Sequence, residues 1–177
     1  MKLLSLRSAI NVYLLLCHAG SHLQSGILLL IRMAWGWQLL ESGYGHLSNV
    51  AGTAKHFMDW GIPYPTLNVY ISGSTELIGG ALLMLGLLSR LISVPLFFNF
   101  CVAYLTASRD EVTHLFTQNP DAIINDAAFP FLVTSLLILA FGPGRFSIDY
   151  IVHRFLIYPY FDRAIPGPEK YSMKMPS

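Results

Sequence analysis

Charged residues are scarce in this chain. Lysine, arginine, aspartate and glutamate together make up 12% of its 177 residues, about half the share found in soluble globular domains. Hydrophobic residues make up 54%, and the mean hydropathy is +0.52. The net charge of +1 gives no basic surface of the kind that binds nucleic acids. The composition therefore argues against a nucleic-acid partner and predicts a protein whose main partner is the lipid bilayer.

Cysteine pairs and catalytic motifs are also missing. Cys17 and Cys101 are the only cysteines, which are too few for a disulfide framework. The absence of C-x-x-C argues against a thiol-exchange enzyme. The chain has no phosphate-binding loop, no G-x-S-x-G and no H-E-x-x-H. The segment GSTELIGG at 73–80 is not a dinucleotide fingerprint, because it lies inside a predicted helix rather than after a strand.

Four apolar stretches are long enough to be considered as membrane spans. They cover residues 26–47, 66–88, 91–107 and 123–141. Only Ser89 and Arg90 separate the second stretch from the third, which predicts a tight antiparallel hairpin. The predicted fold is therefore an all-α membrane protein, a single domain whose four transmembrane helices form a bundle over residues 26–141.

Both ends of the chain are predicted to carry amphipathic helices at the membrane surface. Residues 1–24 place their apolar side chains on one helical face. Residues 142–177 begin with an apolar helical stretch and continue as an irregular, proline-rich tail. A further short amphipathic helix is predicted at 54–60, ended by Gly61 and Pro63.

The distribution of positive charge predicts the orientation in the membrane. If both termini are cytoplasmic, nine lysine and arginine side chains lie on the inner side, and only Lys55 and Arg109 lie on the outer side. Such an excess of positive charge marks the cytoplasmic side of a membrane protein. We therefore expect a protein of the cytoplasmic (inner) membrane with both termini inside the cell.

Glu76 is the one charged residue within the second apolar stretch. A carboxyl group at membrane depth is costly, so it rarely faces lipid. Ser72, Gly73, Gly79 and Gly80 lie three or four residues away on the same helical face. Because stripes of small residues allow helices to pack closely, this face is expected to contact another helix. Glu76 is therefore predicted to face protein.

Four motifs, in the right order, resemble those of the DoxX family. They are LLIRMAWGWQLLESGYGHL at 29–47, with Arg32, Gly36, Gly43 and Gly45 at the positions that recur in the family; GIPYP at 61–65; ELIGGALLMLGLLSR at 76–90; and GPGRFSID at 142–149. The resemblance covers about residues 26–150. It implies a small four-helix membrane protein, and some relatives are membrane subunits of thiosulfate:quinone oxidoreductases.

The buried polar residues allow two interpretations. At about 1.5 Å per residue, Arg32 and Asn99 lie at depths from which they could meet Glu76 inside the bundle. In the structural interpretation this network fixes the register of the helices. In the functional one, Glu76 and Arg32 are catalytic and line a pocket that binds a quinone head group or relays protons, while Asn99 and Ser72 bind the ligand.

Two further groups of residues are weaker candidates. Gln38 and Glu41 lie on another face of the first helix, where they could form a second polar ligand site, extend towards solvent or contact another subunit. His46, His56 and His114 all fall on the outer side. They could bind copper or another cation, but three scattered histidines are more often solvent-exposed, so no metal is predicted.

The function implied by the resemblance is that of a redox-associated membrane subunit. In that interpretation the chain is the membrane subunit of a quinone-linked oxidoreductase, with quinone as its possible cofactor and a partner redox subunit or further copies of itself as its partners. Two alternatives remain open. The chain could be a non-catalytic anchor or assembly scaffold for a partner protein, or a small proton-coupled transporter that uses Glu76.

Overall fold

The computed structural model describes the backbone of residues 2–107 and 124–157 and, within these ranges, all side chains apart from those of residues 2–9, 17, 19, 21 and 22. These ranges contain six α-helices: α1 (Lys2–Ser48), α2 (Val50–Asp59), α3 (Pro65–Leu85), α4 (Ser89–Thr106), α5 (Phe129–Phe141) and α6 (Ile148–Val152). A π-helical turn, His153–Ile157, follows α6. These ranges contain no strand, so the all-α prediction is confirmed.

Helix α1 differs from the prediction because it is continuous. It comprises 47 residues, or about 70 Å at 1.5 Å per residue. The break predicted between a surface helix over 1–24 and a span starting at 26 is absent. The sequence of α1 contains no proline, and glycine inside a helix, as at Gly20 and Gly26, costs only about 1 kcal/mol. Nothing local therefore ends the helix.

The predicted hairpin between the second and third stretches is confirmed. Helix α3 ends at Gly86, whose φ of 66° is a left-handed conformation that suits glycine. The Leu87 N–H donates to the carbonyl of Leu82 at 2.9 Å, which satisfies a carbonyl at the end of α3. Helix α4 then starts at Ser89, so α3 and α4 run in opposite directions.

The core lies where α1, α3, α4 and α5 meet. It is formed by Leu39 of α1, Leu83 of α3, Leu96 and Phe100 of α4, and Ile138 of α5. Leu83, Leu96 and Ile138 have no exposed surface. Because burying such a side chain contributes about 2 kcal/mol, this cluster holds the four helices together.

Only part of the predicted span pattern is reflected in the helices. Within the described ranges, Ser89–Thr106 is the single helix that is both long and apolar enough to cross a membrane, while Phe129–Phe141 is apolar but shorter. The fourth stretch was predicted from residue 123, but α5 begins at Phe129. A backbone N–H of Ala128 donating to the Asp126 carboxylate at 2.7 Å forms a turn just before it.

The two short helices, α2 and α6, fit the sequence pattern. Helix α2 covers residues 54–59 of the predicted segment 54–60, and Trp60 is its C-cap. It begins after Asn49, whose side chain accepts from the Gly52 N–H, and Gly61, with a φ of 75°, follows Trp60. Helix α6 begins after Ser147, which caps it in the same way. The tail over 158–177 and the loop over 108–123, with Arg109 and His114, lie outside the described residues.

Candidate functional site

The Glu76 carboxylate is buried at the junction of three helices. Only 4% of the residue is exposed. Its Oε1 atom accepts hydrogen bonds from Ser72 Oγ at 3.0 Å and Asn99 Nδ2 at 2.9 Å, and its Oε2 atom accepts one from Ser42 Oγ at 2.7 Å. Since Ser42 lies on α1, Ser72 on α3 and Asn99 on α4, the carboxylate links all three helices.

Glycine residues bring α1 and α3 close enough for these contacts. A Cβ atom on Gly43 would lie 2.5 Å from the Leu77 nitrogen and 2.6 Å from the Gly73 carbonyl oxygen. One on Gly80 would lie 2.6 Å from the Gly36 carbonyl oxygen. Contacts this short leave no room for a side chain, so the two backbones pack directly against each other. The close approach carries polar side chains of α1 to the α3 carboxylate.

His46 lies on the same face of α1 as Ser42, four residues further on. Its Nδ1 atom is 3.4 Å from Oε2 of Glu76, and no better-placed hydrogen-bond acceptor meets that nitrogen in the described part of the chain. The imidazole packs edge-to-face against Phe57 of α2, with ring centroids 6.2 Å apart. Because 30% of its side chain is exposed, His46 connects the buried carboxylate with a more accessible region.

A cavity of about 780 Å³ lies beside Glu76 and the polar side chains that contact it. The polar side chains around Glu76 form one part of its wall. Aromatic and aliphatic side chains from α2, α3, α4 and α5 form most of the remainder, including Phe57, Trp60, Phe98, Phe100 and Phe131. A mostly apolar cavity of this size with a few convergent polar groups is typical of small-molecule sites.

The structure does not bring Arg32 to Glu76. Arg32 is fully buried, but its guanidinium group donates to the carbonyl of Pro143 and, through Nη2 at 2.6 Å, to the carbonyl of Phe146. Ser42, which marks the level of Glu76 on α1, is ten residues away, or about 15 Å along the helix. The prediction that Arg32 joins the Glu76 network is therefore wrong, whereas Asn99 and Ser72 do meet the carboxylate.

Arg32 instead belongs to a second network, built on residues 142–149, which we call the closing segment. The Asp149 carboxylate accepts the backbone N–H groups of Leu88 and Ser89 at 2.7 and 2.8 Å. The Asp149 N–H donates to the carbonyl of Gly86 at 2.8 Å. The closing segment therefore binds the turn between α3 and α4 on one side and Arg32 on the other, which gives Arg32 a structural role.

Gln38 and Glu41 lie apart from the site. Both side chains are exposed, and neither lines the cavity beside Glu76. Glu41 precedes Ser42 by one residue, which turns its side chain by about 100° around the helix. The geometry places both residues outside the cavity beside Glu76, and a second polar ligand site on their own face of α1 stays a prediction.

The histidines do not gather into a metal centre in the described ranges. His46 contacts Glu76 and the ring of Phe57, and His56 stacks on Trp60 with ring centroids 6.1 Å apart. Among the described residues, no three histidine, cysteine, aspartate or glutamate side chains are placed to hold a metal ion. His114 lies outside those residues.

Ser42 is the site residue that the sequence analysis missed. It lies four residues before His46 and one before Gly43, so it shares the small-residue face of α1 that packs on α3. The available signal was a serine next to the small-residue face of α1, because a helix that packs on the face of α3 with Glu76 can place such a serine against the carboxylate. The missing information was the register between α1 and α3, which the glycine contacts determine.

The arrangement is suited to holding and transferring a proton. A carboxylate with three hydrogen-bond donors is stabilised in its buried position. It also has the imidazole of His46 within 3.4 Å, a group that can both accept and donate a proton. A ligand in the cavity would therefore meet a carboxylate, an amide and an imidazole at one end and aromatic rings elsewhere.

Comparison with known families agrees with the motifs. The family model described as DoxX matches residues 27–109, a range that ends before the closing segment. No curated protein and no solved structure matches the chain. The family match supports a membrane protein and confirms the resemblance over α1, α2, α3 and α4. Residues 27–109 are thus similar to the DoxX family, and this range supplies every described side chain that hydrogen-bonds to Glu76.

Proposed function

We propose that the chain is an integral membrane protein with four spans, formed by residues 26–47 of α1 and by α3, α4 and α5. The outward faces of these helices support this proposal, because large apolar side chains cover them. Examples more than 40% exposed are Leu30, Trp37, Ile78, Leu91, Phe98 and Leu136. Apolar surface of this extent is expected where lipid is the solvent.

The orientation follows from the arginine residues at the end of the bundle that contains the closing segment. Arg90, Arg145 and Arg154 lie at that end, and Lys55 lies near the other. We place the arginine end in the cytoplasm. With both native cysteines replaced by serine, Met58→Cys should react with a membrane-impermeant maleimide in intact cells, and Leu156→Cys only after permeabilisation. The reverse labelling pattern would show that the protein has the opposite orientation in the membrane.

Within this architecture we propose that the cavity beside Glu76 binds a quinone and that the chain is the membrane subunit of a quinone-linked redox system. The observation that carries the proposal is the position of Glu76 at the polar end of an apolar cavity of about 780 Å³. Asn99, His46 and the serines could orient a quinone carbonyl, and Phe98 and Phe131 could pack against a planar ring. The remaining apolar wall suits an isoprenoid tail.

The chemistry of quinone reduction suits this site. Reduction to the quinol adds two electrons and two protons to the two carbonyl oxygens. In this proposal a partner redox subunit supplies the electrons. Glu76 would donate one proton to the quinone oxygen beside it, and the partly exposed His46 would reprotonate Glu76 from the outer side. The second quinone oxygen would take its proton from solvent water.

The test is quinone binding by the purified protein in detergent. Trp60 lines the cavity, so short-chain ubiquinone and menaquinone analogues should quench its fluorescence, and Trp60→Phe should remove that signal. Glu76→Gln removes the charge and replaces one acceptor oxygen by an N–H donor group, so it should weaken binding about tenfold, equivalent to about 1.4 kcal/mol. Ala103→Phe fills the cavity and should abolish binding, whereas Glu41→Gln on the exposed face should leave it unchanged.

Two results would reject the quinone site. One is that neither quinone analogue quenches the Trp60 fluorescence of the wild-type protein. The other is that the Glu76→Gln protein binds the analogues with wild-type affinity. A ligand-free chain that purifies with a stable protein partner would instead favour the anchor or scaffold function.

The contact of 3.4 Å between His46 and Glu76 favours one further candidate, proton-coupled transport. An imidazole next to a buried carboxylate can carry protons inwards without any redox chemistry. This function predicts solute uptake into vesicles that depends on a pH gradient and is lost in Glu76→Gln. A redox subunit would show no such uptake.

A further inference from the structure

A second cavity lies at the opposite end of the bundle from Glu76. Its volume is about 790 Å³, and its walls come from α1, α4, the end of α5, the closing segment and α6. The residues that line it include none of those around the first cavity. It is therefore a separate site, and an inference from it does not depend on the proposed quinone function.

Positive charge dominates the polar part of this cavity. Arg90 and Arg145 line it, and Asp149 is the one acidic side chain among the described residues of its wall. Both carboxylate oxygens of Asp149 already accept backbone N–H groups, from Leu88 and Ser89. That carboxylate is therefore committed to the α3–α4 turn.

Arg90 is the cation best placed to meet a ligand. It is exposed, and its guanidinium group makes one long hydrogen bond of 3.5 Å, to the Ala140 carbonyl. A Cβ atom on Gly142 would lie 3.3 Å from its Nε, so the group rests against the backbone that ends α5. In the described part of the chain, no carboxylate lies within ion-pair distance of Arg90.

Apolar side chains form the rest of the wall and lead to the outer face of the bundle. Leu91 is 67% exposed and Phe141 is 60% exposed, and both line the cavity together with Leu88 and Ile157. A soluble anion would gain nothing from this surface. An amphiphile with a negatively charged head and an acyl chain would use both the arginine and the apolar wall.

We propose that this cavity binds an anionic phospholipid, with its phosphate against Arg90 and an acyl chain along Leu91 and Phe141. The excess of cationic over free anionic side chains selects an anionic head group rather than a zwitterionic one. The bound lipid would bridge α4, α5 and the closing segment and would stabilise this end of the bundle.

The proposal is tested by native mass spectrometry and thermal unfolding of the detergent-purified full chain with phosphatidylglycerol, phosphatidylethanolamine or inorganic phosphate. Phosphatidylglycerol should remain bound and raise the unfolding temperature, whereas the other two should not. Arg90→Ala should reduce the retained phosphatidylglycerol about tenfold, and Arg90→Lys should keep part of it. Arg154→Ala is the matched control, because Arg154 is exposed at the same end but does not line the cavity.

Each alternative result has a defined meaning. Equal retention of phosphatidylethanolamine, equal stabilisation by inorganic phosphate, or an equal loss in Arg154→Ala would overturn the proposal, because binding would then require no anionic lipid or no particular arginine. If Arg90→Ala is poorly folded, Leu91→Asn provides a second test. This substitution keeps the arginine and should also release the lipid, and normal retention would refute the acyl-chain contact.

Discussion

Asn99 on α4 donates a hydrogen bond of 2.9 Å to the Glu76 carboxylate on α3. The two helices are joined by a short turn at one end of the bundle, and this contact joins them again about midway along α4. Because Ser42 of α1 binds the other carboxylate oxygen, the pair lies in the middle of a network that spans three helices.

Replacing Asn99 with leucine should destabilise the protein by about 2 kcal/mol. The variant removes a hydrogen bond to a charged group and leaves one carboxylate oxygen with a single donor. Thermal unfolding in detergent measures the loss. In a double-mutant cycle with Glu76→Gln, the combined loss should be clearly smaller than the sum of the two single losses. Additive losses would mean that the two side chains do not interact.

Arg32→Ala should destabilise the fold by about 3 kcal/mol without affecting the cavity beside Glu76. It leaves the carbonyl groups of Pro143 and Phe146 without their donors in a buried place. Arg32→Lys keeps the charge but cannot reach both carbonyls in a planar fork, so it should show an intermediate loss. Unfolding temperature and quinone-analogue binding should be measured on the same samples. Reduced quinone binding by folded Arg32→Lys protein would mean that Arg32 contributes to the functional site after all.

Gly43→Ala should be destabilising by about 1 to 3 kcal/mol, because the new methyl group would meet the α3 backbone. Gly45→Ala is a matched control on the same helix. No atom lies within 4 Å of a Cβ at that position, and alanine favours a helix over glycine by up to about 1 kcal/mol. The two variants should therefore shift the unfolding temperature in opposite directions. Equal shifts would contradict the close packing of α1 on α3.

Asp149→Ala should reduce the free energy of unfolding by about 1 to 2 kcal/mol. Its carboxylate accepts two N–H groups at the start of α4, and losing such a cap typically costs this much. Asp59→Ala is the control, because Asp59 is exposed and lies at the end of α2, where a negative charge is unfavourable. That variant should be neutral or slightly more stable. A neutral Asp149→Ala variant would show that the closing segment does not hold the turn.

The inward orientation of Glu76 was predictable from the sequence because it depends on local spacing. Gly73, Gly79 and Gly80 share its helical face, and a helix of 3.6 residues per turn fixes that relationship without any knowledge of the neighbours. The same rule identified Ser72. The tight hairpin was equally local, since two residues between apolar stretches leave few other arrangements.

The partners of Arg32 were not predictable in the same way. They are backbone carbonyls more than a hundred residues later in the chain, and carbonyl groups carry no residue signature. Depth along a bundle also says nothing about the rotation of each helix around its axis. The pairing of Arg32 with Glu76 therefore relied on an assumed register, and the glycine contacts between α1 and α3 set a different one.

The continuity of α1 has a mechanical consequence. Ser42 and His46 in the wall of the first cavity belong to the same unbroken rod as residue 10, about 50 Å away along the helix axis. A tilt of ten degrees about the cavity would displace that distant end by about 9 Å at this length. Any change in the tilt of α1 at the first cavity must therefore appear as a much larger displacement at the far end of the same helix.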